Sequence, residues 1–280
     1  MPLFGFNINM KNTPEEIRRL GERYLAPGLY HAIEVTYYEH MEGTDTSLYN
    51  QAIMDIVTQY HPRVLVHISG FNLAEESSAL RSAILNEIAN CVKYTRQLGG
   101  KEMVIHSGNI RAGLHVPIVN RAGAAEGMDA VFARSWQLSV AMMKQACLLA
   151  SADGVTLYTE NLNAEHLTQS GETLRKYLVD VDCDNLKIVF DVGHCHHTGH
   201  SIPRDIRDAG IMLEHLHIHD NFGQIDEHAT PGDGNIDFAE FVSCLEEQHY
   251  NGLYMFELKR CTEENLTRCH KMFSNLLRIN

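Results

Sequence analysis

Glu160, Asp191, His217 and Glu257 each close a short apolar run: LeuTyrThrGlu (157–160), IleValPheAsp (188–191), HisLeuHis (215–217) and MetPheGlu (255–257). Each reads as the last residue of a buried strand. Carboxylates and imidazoles are costly in such places unless they converge on a cation. Three carboxylates and one imidazole form an oxygen-rich set suited to a catalytic divalent metal, with Mn²⁺, Mg²⁺, Co²⁺ and Zn²⁺ all compatible. Glu160 and Glu257 come from non-adjacent strands and can face each other across that metal. Such a pair can take a proton from one carbon of a hydroxy-ketone and return it elsewhere while the cation stabilises the enediolate. The chain therefore reads as a metalloenzyme suited to isomerisation or epimerisation.

Further donors recur in phase with these four. His67 follows ValLeuVal and His106 follows MetValIle. A lone histidine at a strand end is more often a hydrogen-bonded core residue, but six polar strand ends at one rim point to a site. His194 lies three residues beyond Asp191, where it can bind metal or substrate. His215, His217 and His219 alternate and so share one strand face. His217 is the preferred ligand, and His219 with Asp220 sits further up, orienting substrate or the ligands themselves. The following loop carries Asp226 and His228. Cys195, His196, His197 and His200 match no ligand spacing and read as loop residues. Gly232 and Gly234 permit either close backbone approach to a ligand or a tight turn.

Positioning these residues requires eight strand–helix units. Strand-like runs occur at Leu3–Asn9, Ile33–Tyr38, Val64–Ile68, Met103–His106, Thr156–Glu160, Ile188–Asp191, Leu213–His219 and Tyr254–Leu258. Helical patterns start near Pro14, Ser47, Glu75, Met128, Gly171, Arg204, Phe238 and Glu263, the first marked by Thr13-Pro14-Glu15-Glu16. This alternation predicts an α/β fold, a closed (β/α)8 TIM barrel in one domain over residues 1–280. No Gly-x-Gly-x-x-Gly follows the first strand, which disfavours an open dinucleotide-binding sheet. The irregular stretches Ser107–Gly127 and Asn221–Asn235 follow strand ends and are candidate lids or substrate walls.

A formal charge of −13 from 23 basic and 36 acidic residues is a poor start for wrapping nucleic acid. Seven cysteines without a Cys-x-x-Cys pair fit reduced thiols in a cytoplasm. No apolar run approaches membrane-spanning length, and the first ten residues lack a signal pattern. The expected partner is a small molecule, with a homo-oligomer left open.

As a set, HISGFNL (67–73), VIHSGN (104–109), TENL (159–162), FDVGH (190–194), HLHIHDN (215–221), the loop 226–237 and FELK (256–259) resemble the xylose isomerase-like barrel superfamily. That superfamily holds sugar and sugar-phosphate isomerases and epimerases, inosose dehydratases and apurinic-site nucleases of the endonuclease IV type. The isomerase branch implies one metal on Glu160, Asp191, His217 and Glu257, the two glutamates as acid/base pair, and His194 near substrate. The nuclease branch implies three zinc ions, and His67, His106, Glu160, Asp191, His194, His217, Asp226, His228 and Glu257 fill all its ligand positions. Three departures favour a small-molecule enzyme: Gly70-Phe71 replaces the nuclease wedge, Ser107-Gly108 follows the second histidine, and AsnLeuAsnAla (161–164) follows Glu160. A keto-cyclitol dehydratase and a metal-bearing barrel that binds without turnover complete the alternatives, the last disfavoured by retention of both glutamates.

Overall fold

The computed structural model describes residues 2–38, 45–110 and 128–279. Eight parallel strands close into a barrel in chain order. They are β1 (Leu3–Ile8), β2 (Ala32–Thr36), β3 (Arg63–Ile68), β4 (Glu102–Ile105), β5 (Thr156–Glu160), β6 (Leu186–Asp191), β7 (Leu213–Ile218) and β8 (Leu253–Phe256). Around them lie α1 (Pro14–Leu20), α2 (Ser47–Tyr60), α3 (Ser78–Gln97), α4 (Met128–Ala152), α5 (Gly171–Val181), α6 (Val192–His197), α7 (Ile202–Ala209), α8 (Phe238–Glu247) and α9 (Glu263–Leu276). The (β/α)8 TIM barrel read from the alternating pattern is the fold observed.

Period-two alternation sorts the strand residues. Ile33, Val35, Val64, Val66, Leu157, Phe190, Leu216 and Phe256 pack outward in one continuous core under the helices. Their neighbours line the barrel interior, where Ala32, Leu65, Leu253 and Met255 form one apolar group and Val104, Tyr158 and Val189 another. At the end where the strands begin, Arg63 Nε donates to Glu102 Oε2 at 2.6 Å and Tyr158 donates to Glu102 Oε1 at 2.9 Å. The same inward phase continues to Glu34, His67, Glu160, Asp191 and His217 at the opposite end, so a largely apolar layer that also holds His215 lies between two polar ones.

Local signals act as expected at α1, where Thr13 and Glu16 form a reciprocal capping box behind Pro14. Elsewhere the boundaries differ. His106 and Glu257 stand one residue past β4 and β8, because strand pairing ends at Ile105 and Phe256. Residues 195–197, read as loop, are helical: Asp191 Oδ1 accepts from His194 N at 2.7 Å and caps α6. The expected helix near Glu75 starts at Ser78, with Ser77 as its cap. Of the expected lid at 107–127, residues 111–127 lie outside the described residues; Ile110 N donates to Glu165 O at 2.8 Å.

Candidate metal centre at the strand ends

Parallel register places the first cluster. Asp191 pairs with His217 across β6 and β7, and Glu160 with Val189 across β5 and β6. Inward alternation then turns Glu160, Asp191 and His217 toward one another. His217 Nδ1 lies 3.1 Å from Glu160 Oε2, 3.0 Å from Glu257 Oε2 and 3.8 Å from Asp191 Oδ2. One donor atom from each of Glu160, Asp191, His217 and Glu257 falls within 4.8 Å of all the others.

These residues suit a cation on their own chemistry. Glu160 Oε1, Asp191 Oδ2 and Glu257 Oε2 are buried without a hydrogen-bond partner. Glu160 Oε1 is only 2.7 Å from His106 Nε2, so the contact is close yet poorly aligned for hydrogen bonding. Orphaned buried lone pairs are costly, and a divalent cation would satisfy several at once.

In the metal-free protein, imidazolium charge balances the carboxylates. Burial opposes charge on His217, but Glu34 and Glu257 outweigh it and hold the ring well above its ordinary value. His67 is likewise disfavoured by burial but raised to about 10 by Glu257 and Glu34. Burial pushes the Glu160 carboxyl up, and His106 and His217 bring it well below the usual carboxylate range.

A second cluster adjoins the first. His194 Nε2 and His228 Nε2 lie 3.1 and 3.3 Å from Asp226 Oδ2, and His219 Nε2 lies 3.7 Å from Asp226 Oδ1. His194 Nδ1 faces the Asn161 carbonyl and His228 Nδ1 the Glu257 carbonyl, both at 3.0 Å. With Nδ1 donating there, each Nε2 faces Asp226, to which it donates when protonated and beside which it can offer a lone pair to a cation when it is not. His219 also reaches Asp191 Oδ1 at 3.1 Å and so touches both clusters. It fits against Gly193, where a Cβ would come within 2.0 Å of the ring. His219 thus belongs among the clustered donors rather than merely above them.

His67, His106 and Glu160 form a third group, with the two Nε2 atoms 3.0 Å apart. Glu34, which makes a fourth group with His67, His217 and Glu257, was missed by sequence reasoning. It sits in the middle of β2 at 1% exposure and is flanked by His67 and His217. A charged residue inside the apolar run AlaIleGluValThr was the available signal. His166 was also missed: its ring centroid is 6.0 Å from that of His106, and burial together with that neighbour lowers it to about 4.

The glycines of the 226–237 loop serve a turn rather than an approach to a ligand. Gly232 N and Gly234 N both donate to Asp220 Oδ2 at 2.9 Å, and Ile236 N donates to Oδ1 at 3.2 Å. A Cβ at Gly234 would lie 2.3 Å from Asp220 Oδ1. Asp220 is therefore the internal anchor of the loop that carries Asp226 and His228. Beside these residues a cleft of about 840 Å³ opens, lined by Glu257, Asp226, His228, Asn7, Asn9 and Tyr38 among others. A larger hollow of about 990 Å³ between α1 and α2 is walled by Arg18, Glu22, Asp55 and Tyr60 and takes in none of the clustered donors.

The chain belongs to the xylose isomerase-like TIM barrel family, which matches residues 27–270. It is 27% identical over 213 residues to an uncharacterised protein of Methanocaldococcus jannaschii, covering 74% of this chain and 68% of that one. It is 23% identical over 175 residues to the 3-dehydro-D-guloside 4-epimerase of Escherichia coli, covering 62% of each. The crystal structure of a D-tagatose 3-epimerase-like protein superposes with a TM-score of 0.77 at 21% identity, over 99% of this chain and 97% of that one. The chain is thus related to sugar epimerases, which are enzymes. Among the described residues, no helix is long and apolar enough to cross a membrane.

Proposed function

We propose that this protein is a divalent-metal-dependent sugar or sugar-phosphate isomerase or epimerase. The observation that carries the reading is the convergence of Glu160 Oε2 and Glu257 Oε2, from non-neighbouring parts of the barrel, to 3.1 and 3.0 Å from the same His217 nitrogen. Kinship with sugar epimerases supports it. Glu160, Asp191, His217 and Glu257 would hold the metal, which would polarise a bound hydroxy-ketone and stabilise enediolate charge. One glutamate takes a proton from carbon, and the other, having taken up a proton from solvent, returns it to the opposite face of the same carbon, or to the neighbouring carbon while the hydroxyl proton passes between the two oxygens. His67, His106, His194, Asp226 and His228 line the mouth as substrate contacts. With added Mn²⁺ or Co²⁺ the protein should exchange solvent deuterium into a ketose or keto-cyclitol. Glu160→Gln and Glu257→Gln should each remove that exchange. A broad panel of sugars showing none would count against the assignment.

The contiguity of the donor groups favours one second reading, a zinc phosphodiesterase of the endonuclease IV type acting on abasic DNA. Adjacent cations can stabilise both the attacking and the leaving oxygens of phosphoester cleavage. A net charge of −13 opposes it, since phosphate contacts supply most non-specific DNA affinity. Elemental analysis of protein prepared without added metal separates the two: one equivalent supports the sugar enzyme, and close to three with nicking at abasic sites supports the nuclease.

A further inference from the structure

Resting on the metal-site reading above, we infer that Glu34 is a positioning residue that decides which ring nitrogens His67 and His217 offer at the centre. Glu34 reaches the barrel interior from β2 and is met there by imidazoles. His67 Nδ1 lies 3.2 Å from its Oε1, and His217 Nε2 lies 3.0 Å from its Oε2. His215 Nε2 approaches the same Oε2 at 3.5 Å. Among the described residues, no lysine or arginine forms an ion pair with this carboxylate.

An ionised carboxylate only accepts hydrogen bonds. Each ring facing it must therefore present an N–H, and once a cation at the centre has displaced the other proton the imidazole carries only that one. The proton of His67 is placed on Nδ1 and that of His217 on Nε2, so one carboxylate selects opposite tautomers in its two neighbours. With the centre loaded, the bare nitrogens left over would be His67 Nε2 and His217 Nδ1, and both face Glu160, at 3.6 Å from Oε1 and 3.1 Å from Oε2 respectively. His217 Nδ1 is also the atom that meets Glu257 and Asp191, so it becomes the metal-binding nitrogen. His67 Nε2 becomes an acceptor for His106 Nε2 at 3.0 Å.

Glu160 could not make this choice alone. Its oxygens would accept a proton from either ring as readily as they would share a cation with a bare nitrogen. Glu34, on the far side of both rings, breaks that symmetry, with Glu257 Oε1 beside it at 3.6 Å from His67 Nδ1. Fixing the tautomer of a ligating histidine is typically worth about 10- to 100-fold in metal affinity.

The test uses the full chain, with Zn²⁺ as the probe ion and a chelating dye as competitor. Wild-type protein should bind Zn²⁺. In its loaded form, side-chain ¹⁵N spectra should show His217 protonated on Nε2 and His67 on Nδ1. Glu34→Gln keeps the volume but offers one acceptor and one donor, so it can serve only one ring correctly. It should bind Zn²⁺ about 10- to 100-fold more weakly with one tautomer changed, and Glu34→Asp should recover part of the affinity. Unchanged affinity and tautomers in Glu34→Gln would overturn the proposal, even if melting shifted. His217 protonated on Nδ1 in loaded wild type would overturn it whether or not the variants fold. Wild type that takes up no Zn²⁺, Mn²⁺ or Co²⁺ would instead remove the metal reading beneath it.

Discussion

The cluster around His217 and the cluster around Asp226 adjoin each other and use the same residue types, yet they are held in different ways. Glu160, Asp191 and His217 belong to β5, β6 and β7 and are essentially inaccessible, at 1%, 0% and 0% exposure. The register of parallel strands fixes them, and moving one requires breaking barrel hydrogen bonds. Asp226 and His228 come from a loop, and their side chains remain 25% and 26% exposed. Their placement depends on Asp220 gathering three backbone N–H groups of that loop. Strand pairing holds the first set, and one buried side chain holds the loop that carries the second. Active faces of such barrels commonly divide labour between strand ends and the loops that follow.

Removing one imidazole from each cluster gives the largest expected contrast. His217→Ala should lose the bound metal and, with it, turnover by roughly two orders of magnitude or more. His228→Ala should keep one equivalent of metal while impairing turnover. Elemental analysis beside deuterium-exchange rates reads both, and equal metal loss in the two variants would erase the proposed division.

A smaller effect is expected from loosening only the loop. Asp220→Asn leaves one side-chain acceptor oxygen where two now serve the loop. The protein should lose on the order of 1–3 kcal/mol of stability and retain its metal at His217, with slower turnover. Denaturant unfolding together with metal titration checks this, and metal loss on this change would mean that the two clusters form a single unit.

The smallest effect concerns pH. In chelated protein His67 and His228 are raised from 6.5 to about 10 and about 9 by neighbouring carboxylates, against the effect of burial. A raised folded-state value contributes stability that is complete below 6.5 and is lost as pH rises through the folded value. Chelated protein should therefore melt progressively lower between about pH 7 and 10. Restoring the metal should raise the melting temperature by mass action and flatten this slope, since the cation replaces the protons. A chelated sample whose melting temperature stays level across that window would show that the imidazoles do not balance the carboxylates.

Much of this arrangement was legible in the chain. Alternating apolar runs gave strand phases, and those phases turn Glu160, Asp191 and His217 inward without knowledge of neighbours. Other features were hidden for identifiable reasons. The helix over Val192–His197 is set by the Asp191 side chain bonding back to His194 N, a contact that composition around Cys195-His196-His197 does not reveal. Gly232 and Gly234 announced a special backbone, but which partner they accommodate depended on Asp220, twelve and fourteen residues away.

Glu34 and His217 mark the boundary between the two kinds of information. Period-two alternation and short punctuated runs determined, from sequence alone, a barrel with acids and imidazoles at its strand ends, because inward or outward facing is a local property of a strand. Which inward residues meet is not local. Glu34 and His217 are 183 residues apart and lie on strands that are neighbours neither in sequence nor in the sheet. They touch because eight parallel strands close into a ring and bring opposite walls within reach across a narrow interior. That closure decided that a glutamate in an apolar run would become the common partner of His67 and His217.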